Sequence, residues 1–235
     1  YDAEHNYQYD YDILPGDEPD LKRGFNIFEE RENTDNETII SSFNSIFDTE
    51  LRFNDQWKLS SQVGIQWDQS SQEQYVGENT FNMRNIREDS SYDENQYIVP
   101  KGGMHTVNNA TTSQITWKVQ GEYKNTFNDI HDIQIMAGSE IRKNWYNTQF
   151  TAGYGYDPKT LTTKPLNIRN DKDAEKYKLH TKTYQENAFA SFYTTGSYSF
   201  MSRYTIGGSV RMDGSDLFGV DKKYRYLPIY SISGM

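Results

Sequence analysis

The residues with the most chemistry to offer lie near the start of the chain. Tyr7, Tyr9 and Tyr11 alternate with Gln8 and Asp10, and Asp12, Asp17, Glu18 and Asp20 follow closely. Phenol rings give flat faces for sugar rings and a hydroxyl for hydrogen bonds. Tyr7, Tyr9, Tyr11, Asp10 and Asp12 are therefore the candidate substrate-binding group. The same pattern also fits a solvated loop or a strand top in an aromatic girdle, and the oxygens of Asp10 and Asp12 would suit Ca²⁺. Elsewhere the chemistry is thin. His5, His105, His131 and His180 are far apart, with no metal-ligand spacing. No Gly-x-Ser-x-Gly elbow, phosphate-binding Gly-Lys-Ser/Thr loop or HExxH helix occurs. The chain has no cysteine, which removes thiol catalysis and thiolate metal sites. No catalytic residue, resident metal or cofactor is expected, and the chain is expected not to be an enzyme.

The elements that would position such groups are strands. Odd positions Phe43, Phe47, Leu51 and Phe53 are mostly apolar against Asn44, Asp48, Glu50 and Arg52. After a break at Asn54-Asp55-Gln56, Trp57, Leu59, Val63, Ile65 and Trp67 oppose Lys58, Gln62, Gln66 and Asp68. This is the period of a hairpin with one apolar face. It recurs with Ile115, Trp117, Val119 and Tyr123 against Lys118, Gln120 and Glu122. A turn at Asn125 to Asp129 leads to Ile133, Ile135, Ala137 and Ile141 against Gln134, Glu140 and Arg142. A third hairpin runs from Ala188 to Phe200, breaks at Met201-Ser202 and returns through Tyr204 to Met212.

Short turns close each hairpin, whereas long polar segments, roughly 69–112 and 143–184, join one hairpin to the next. The leader to about Glu37 looks like a third long segment. That asymmetry, with strands of about ten residues, fits a transmembrane β-barrel with long extracellular loops. A soluble sandwich or propeller gives the same alternation and stays open at this point. Few Leu, Ile and Val beside 19 tyrosines argue against an α/β enzyme. A net charge of −10 argues against nucleic acid as a partner.

The stretch Arg211-Met212-Asp213-Gly214-Ser215-Asp216-Leu217-Phe218-Gly219, with Tyr224, Pro228, Ser231 and Gly234 beyond it, is the most specific motif in the chain. It resembles the Arg-x-Asp-Gly-Ser-Ser-x-Phe-Gly motif and the aromatic-proline stretch of the SusC/RagA family of TonB-dependent outer-membrane transporters. Asp216 and Leu227 depart from the family's usual Ser and Phe. The resemblance implies an all-β fold in the bacterial outer membrane. Residues 1–235 would supply about six to seven strands of a roughly 22-stranded barrel. The plug domain and the C-terminal strands are expected to lie outside this chain. It implies import of an oligosaccharide, or alternatively a peptide, with a SusD-like lipoprotein lid and energy from TonB. A secreted or surface adhesion module is the alternative of a different class.

Within that frame Arg211, Asp213, Gly214, Ser215, Phe218, Gly219, Tyr224 and Pro228 are expected to shape a short extracellular turn. Glu50, Arg52, Lys58, Asp68, Lys118, Glu122, Glu140 and Arg142 are expected to face the lumen. A Lys or Arg facing lipid at mid-depth costs about 2–4 kcal/mol, so the charged face turns inward and the Phe/Ile/Trp face meets lipid. Trp57, Trp67, Trp117 and Trp145 are expected to be lipid-facing anchors, with Trp145 just past a strand end.

Overall fold

The structure, a computed structural model, describes residues 4, 6–11, 24–216 and 226–235. Its elements in chain order are α1 (Ile27–Glu32), β1 (Thr34–Arg52), β2 (Trp57–Val76), α2 (Phe81–Glu88), β3 (Ser91–Asp93), β4 (Gln96–Tyr97), β5 (Gly103–Phe127), β6 (His131–Tyr156), α3 (Asp171–Lys176), β7 (His180–Phe200), β8 (Tyr204–Ser215) and β9 (Tyr226–Gly234). Seven strands form one sheet in the order β1-β2-β5-β6-β7-β8-β9, and β3 pairs with β4 in a small hairpin. The expected antiparallel all-β segment is present. No described helix is long and apolar enough to cross a membrane, which says nothing about strands.

Local chemistry explains each tight turn. Asn54 Oδ1 accepts the backbone N–H groups of Gln56 (2.9 Å) and Trp57 (2.8 Å), closing the β1–β2 hairpin. Asn128 and Asp129 turn β5 into β6 with φ of 50° and 57°, a region these two residues tolerate better than most. Met201 and Ser202 do the same between β7 and β8 with φ of 52° and 55°. The Met201 N–H donates to the Ile130 carbonyl (2.7 Å), which holds that turn to its neighbour.

The strands run well past the ends set by hydrophobic alternation. β2 continues to Val76, β5 begins at Gly103, and β6 continues to Tyr156. Trp145 accordingly lies inside β6, not beyond a strand end. In these stretches the apolar face followed from the hairpins is lost: β2 turns polar, and in β6 the aromatic residues Phe150 and Tyr154 fall on the opposite face to Ile133 and Ile135.

The chain divides into two compact units. One comprises Tyr1–Ile40, Ser70–Ala110 and Thr148–Thr183; the other comprises Ser41–Gln69, Thr111–Asn147 and Tyr184–Met235. We call them the loop unit and the wall unit. The long segments expected as open loops thus carry strand ends, helices and a hairpin. The loop unit has a small core of Val76, Met83, Ile98, Val99 and Tyr177. Thr80 caps α2, its Oγ1 accepting the Met83 N–H (3.1 Å), and Glu30 accepts the Phe81 N–H. Ser90 Oγ accepts from Val99 N–H (3.1 Å), fixing the strand-like segment that buries Ile98 and Val99.

The wall unit is built differently. None of the fully buried apolar residues among those described belongs to it. Phe43 (56% exposed), Phe47 (61%), Trp57 (51%) and Ile206 (58%) all lie open on the sheet. A soluble sheet would bury such a face against a second layer.

Candidate functional site

Many of the wall's charged residues lie on one sheet face, several of them joined by hydrogen bonds. Arg52 Nε donates to Glu50 Oε1 (2.8 Å), and Lys58 Nζ lies 3.8 Å from Glu50 and 2.8 Å from Glu122. Gln120 donates to Glu122 (2.7 Å). Gln62 donates to Asp48 (2.7 Å) and Gln66 to Asp68 (2.6 Å). Lys118 Nζ is 6.0 Å from the centre of the Tyr193 ring, and the Arg142 guanidinium lies 4.9 Å over Phe189. Glu140 sits on the same face of β6, two positions before Arg142. Glu50, Arg52, Lys58, Asp68 and Glu122 thus lie in opposite-sign or hydrogen-bonded pairs, and Lys118 and Arg142 lie over aromatic rings.

A tyrosine that sequence reading did not single out ties this face together. Tyr193 of β7 reaches over β6, and its hydroxyl donates to Gln120 Oε1 on β5 (3.0 Å). Gly138 makes the passage: a Cβ there would stand 2.6 Å from the Tyr193 ring and hydroxyl. The available signal was a glycine inside a period-two strand, which marks close approach by a neighbour.

The Arg211–Asp213 motif continues the same face. Arg211 Nε donates to both carboxylate oxygens of Asp213 (2.8 Å each), and Asp213 accepts from Ser191 Oγ (2.6 Å). The Arg211 guanidinium also stands 5.8 Å from the Tyr193 ring centre. Arg211 to Ser215 are not a turn, however. They are the end of β8, paired with β7 through Phe189↔Ser215 and with β9 through Gly214↔Tyr226. Pairing on both sides overrides the turn-like composition, and Gly214 keeps extended backbone; the described glycines with positive φ are Gly102 and Gly155. Phe218, Gly219 and Tyr224 lie outside the described residues. Pro228 sits within β9 opposite Met212.

On the opposite face the tryptophans divide into two kinds. Trp57 packs against Tyr123 with ring centres 4.6 Å apart. Trp67 lies ten residues further along β2, about 33 Å of strand at ~3.3 Å per residue. At a tilt of about 40° that is roughly 25 Å of height, the span of an outer-membrane apolar band. The Lys124–Gln56 and Thr126–Asp132 hydrogen bonds fix the registers of β5 with its neighbours. Stepped along the strands, they put Trp67, Ser113 and Trp145 in one row. The Trp145 indole donates to Glu186 (3.1 Å), which also takes Lys143 (2.5 Å) and the Tyr184 hydroxyl (2.9 Å). Trp117 is different. It lies between the two levels, and its Nε1 donates to Ser61 Oγ (3.0 Å), satisfying a donor that lipid could not. It is not a girdle residue.

The tyrosines of the leader lie in the loop unit. Tyr7, Tyr9 and Tyr11 turn one half-buried face inward while Gln8 and Asp10 are exposed. The Tyr7 hydroxyl donates to Glu32 (2.5 Å), and that of Tyr9 to Glu29 (3.2 Å). Burial, and then the Glu29 carboxylate, push the Tyr9 phenol above its ordinary pKa. Asp10 pairs through its backbone with Phe25. The tyrosines thus pack as a ladder, with ring centres 6.4 and 6.5 Å apart. Asp12 lies outside the described residues. Among the described residues no three His, Cys, Asp or Glu side chains converge as metal ligands. His105 stacks on Tyr156 and meets Glu73 (2.7 Å), and His131 meets the Tyr198 hydroxyl (2.7 Å).

Comparison with known proteins bears on this arrangement. No family model matches the chain. Two curated relatives come from Formosa agariphila. TonB-dependent receptor P39 is 29% identical over 108 residues, 45% of this chain and 10% of the relative. TonB-dependent receptor P26 is 22% identical over 193 residues, 82% of this chain and 18% of the relative. The chain therefore matches only about a tenth to a fifth of these relatives' length. Among solved structures, the RagAB peptide transporter aligns with a TM-score of 0.67 at 18% identity, over 86% of this chain and 20% of that one. The RagAB peptide importer in its closed-closed state aligns with the same TM-score at 17% identity, over the same shares of the two chains. Relatives and fold together show a chain similar to TonB-dependent receptors over most of its length, with the antiparallel fold of part of an outer-membrane β-barrel.

Proposed function

We propose that the chain forms barrel wall and extracellular loops of an importer that takes up an oligosaccharide, driven by TonB and covered by a SusD-like lipoprotein. The wall does no chemistry on the cargo. Its polar face, with Glu50, Arg52, Lys58, Asp68, Lys118, Glu122, Glu140 and Arg142, lines the lumen. Its aromatic and aliphatic face meets lipid. The plug and the remaining strands would correspond to the stretches of the relatives that residues 1–235 do not match. The loop unit, folded around its own core, is made of the long segments that such an importer would carry as extracellular loops.

The observation that carries this reading is the wall itself: one face open and apolar, the other charged and internally paired, in a chain similar to TonB-dependent receptors over most of its length. Peptide import is the second reading, favoured by the likeness to the RagAB peptide transporter. The test is uptake by cells carrying the full protein. Labelled oligosaccharides should enter and should stop entering when the proton-motive force is collapsed. Uptake of peptides alone, with the same energy dependence, would decide for the second reading. Uptake that survives loss of the energy source would refute TonB coupling.

A further inference from the structure

We propose that a row of amide side chains on the charged face of the wall unit binds an uncharged, hydroxyl-rich stretch of the oligosaccharide. This rests on the oligosaccharide reading above and specifies that the cargo is neutral where it meets the wall.

The row follows from the strand registers. Two backbone hydrogen bonds, from Gly77 N–H to the Asn33 carbonyl and from Phe53 N–H to the Trp57 carbonyl, fix β1 against β2 at both ends. Lys124–Gln56 and Thr126–Asp132 fix β5 between β2 and β6, and Met201–Ile130 with Ala152–Leu179 fix β6 against β7. Stepped along these registers, Asn44, Gln66, Gln114, Asn144 and Asn187 stand side by side on five adjacent strands. All five belong to the wall unit. At ~4.8 Å per strand the row runs about 19 Å across the wall. Alternation puts it on the face of Lys58, Lys118 and Arg142, one residue away from the row of Trp67 and Trp145. The next row on that face holds Thr112, Tyr146 and Gln185.

This band differs from the rest of the face. Asp68 is the one charged side chain among the described residues of the two rows, and Gln66 donates to it (2.6 Å). Charge returns at Arg142 and Glu140, two and four residues from Asn144 toward the β5–β6 turn. The amides are not spent on one another. Among the described residues Asn44, Asn187, Gln185 and the Tyr146 hydroxyl have no hydrogen-bond partner, and Tyr146 is 43% exposed.

That chemistry selects a ligand. An amide donates and accepts, as a sugar hydroxyl does, so the two pair in either sense. The Tyr146 ring adds a flat face for the C–H side of a sugar ring. An ionised sugar finds no free countercharge in the band, and desolvating an unpaired charge is costly. An extended peptide presents a residue every ~3.3 Å, out of step with side chains ~4.8 Å apart.

The test is calorimetric titration of the full transporter in detergent. The probes are neutral glucan, mannan, xylan and galactan oligosaccharides, a glucuronate-containing oligosaccharide and a capped, uncharged serine-rich peptide. A neutral sugar should bind. Tyr146→Ala should weaken it about tenfold, and Tyr146→Phe, which keeps the ring, should stay within about threefold of the parent. Gln185→Leu should weaken it about three- to tenfold. Both positions are exposed, so the unfolding midpoint should not move. Full affinity in Tyr146→Ala and Gln185→Leu, binding of the acidic sugar alone, or no binding of any probe would overturn the row while leaving oligosaccharide import intact. A lowered unfolding midpoint with unchanged sugar affinity would assign the row to contacts within the barrel and overturn it too. Binding of the peptide and of no sugar would overturn both readings.

Discussion

Val63 and Gln62 are neighbours on β2 that face opposite ways, close to midway between Trp57 and Trp67. Gln62 lies on the charged face, donating to Asp48 at 2.7 Å. Val63 lies on the face that carries Trp57, Ile65 and Trp67. An arginine at either site has the same size, charge and depth, so only the direction differs. At position 63 it would enter the middle of the apolar band, where Lys or Arg costs about 2–4 kcal/mol. That corresponds to roughly a 30- to 900-fold loss in the folding equilibrium. At position 62 it would meet the Asp48 carboxylate in water, and a solvated pair of this kind is worth about 0–1 kcal/mol either way. Equilibrium unfolding of the full barrel in lipid vesicles, followed by the mobility difference between folded and unfolded forms, would measure both. Val63→Arg should move the midpoint strongly to lower denaturant, and Gln62→Arg should hardly move it. Equal effects, or the larger loss at position 62, would refute the assignment of faces.

Three further outcomes follow from single contacts. Gly138→Val should destabilise the barrel by about 1–3 kcal/mol by overpacking, because the new Cβ collides with Tyr193; Tyr193→Ala in the same background should recover part of that loss in the same unfolding assay. Ser61→Ala should cost about 1–3 kcal/mol by leaving the Trp117 indole N–H unsatisfied in lipid, with a shift in Trp117 fluorescence as the independent sign. The Lys159 backbone N–H, foremost, holds the Asp157 carboxyl below its ordinary pKa. Its contribution to the local turn is therefore present above the ordinary carboxylate pKa and is lost as pH falls through the lowered value. The protection of residues 157–162 against hydrogen exchange, taken relative to the intrinsic rate at each pH, should fall at acid pH in the parent and stay constant in Asp157→Asn.

How much of this was legible depended on contrast between faces. From Phe43 to Trp67 the alternation of apolar and charged residues is strong, and hairpin, face assignment and turn at Asn54 could all be read directly. From Arg142 to Tyr156 the strand continues, but the aromatic residues Tyr146, Phe150 and Tyr154 now fall on the face opposite to that of Ile133 and Ile135, so the apolar pattern changes sides. A reading that follows one apolar face loses the strand where the pattern changes sides. The motif residues Asp213, Gly214 and Ser215 are of turn-forming types, yet neighbours on both sides hold them in the sheet. The tyrosines of the leader were visible as a group, but not their engagement: Glu29 and Glu32 lie some twenty residues away, and only folding brings α1 beneath the rings.

The most direct test of the claim that this wall separates lipid from a water-filled lumen is a spin-label scan from Trp57 to Trp67 in the full transporter, reconstituted in bilayers. Labels at odd positions should be reached by oxygen and shielded from a water-soluble nickel chelate, and labels at even positions should show the reverse. Equal access of the chelate to both sets would contradict a membrane-spanning wall.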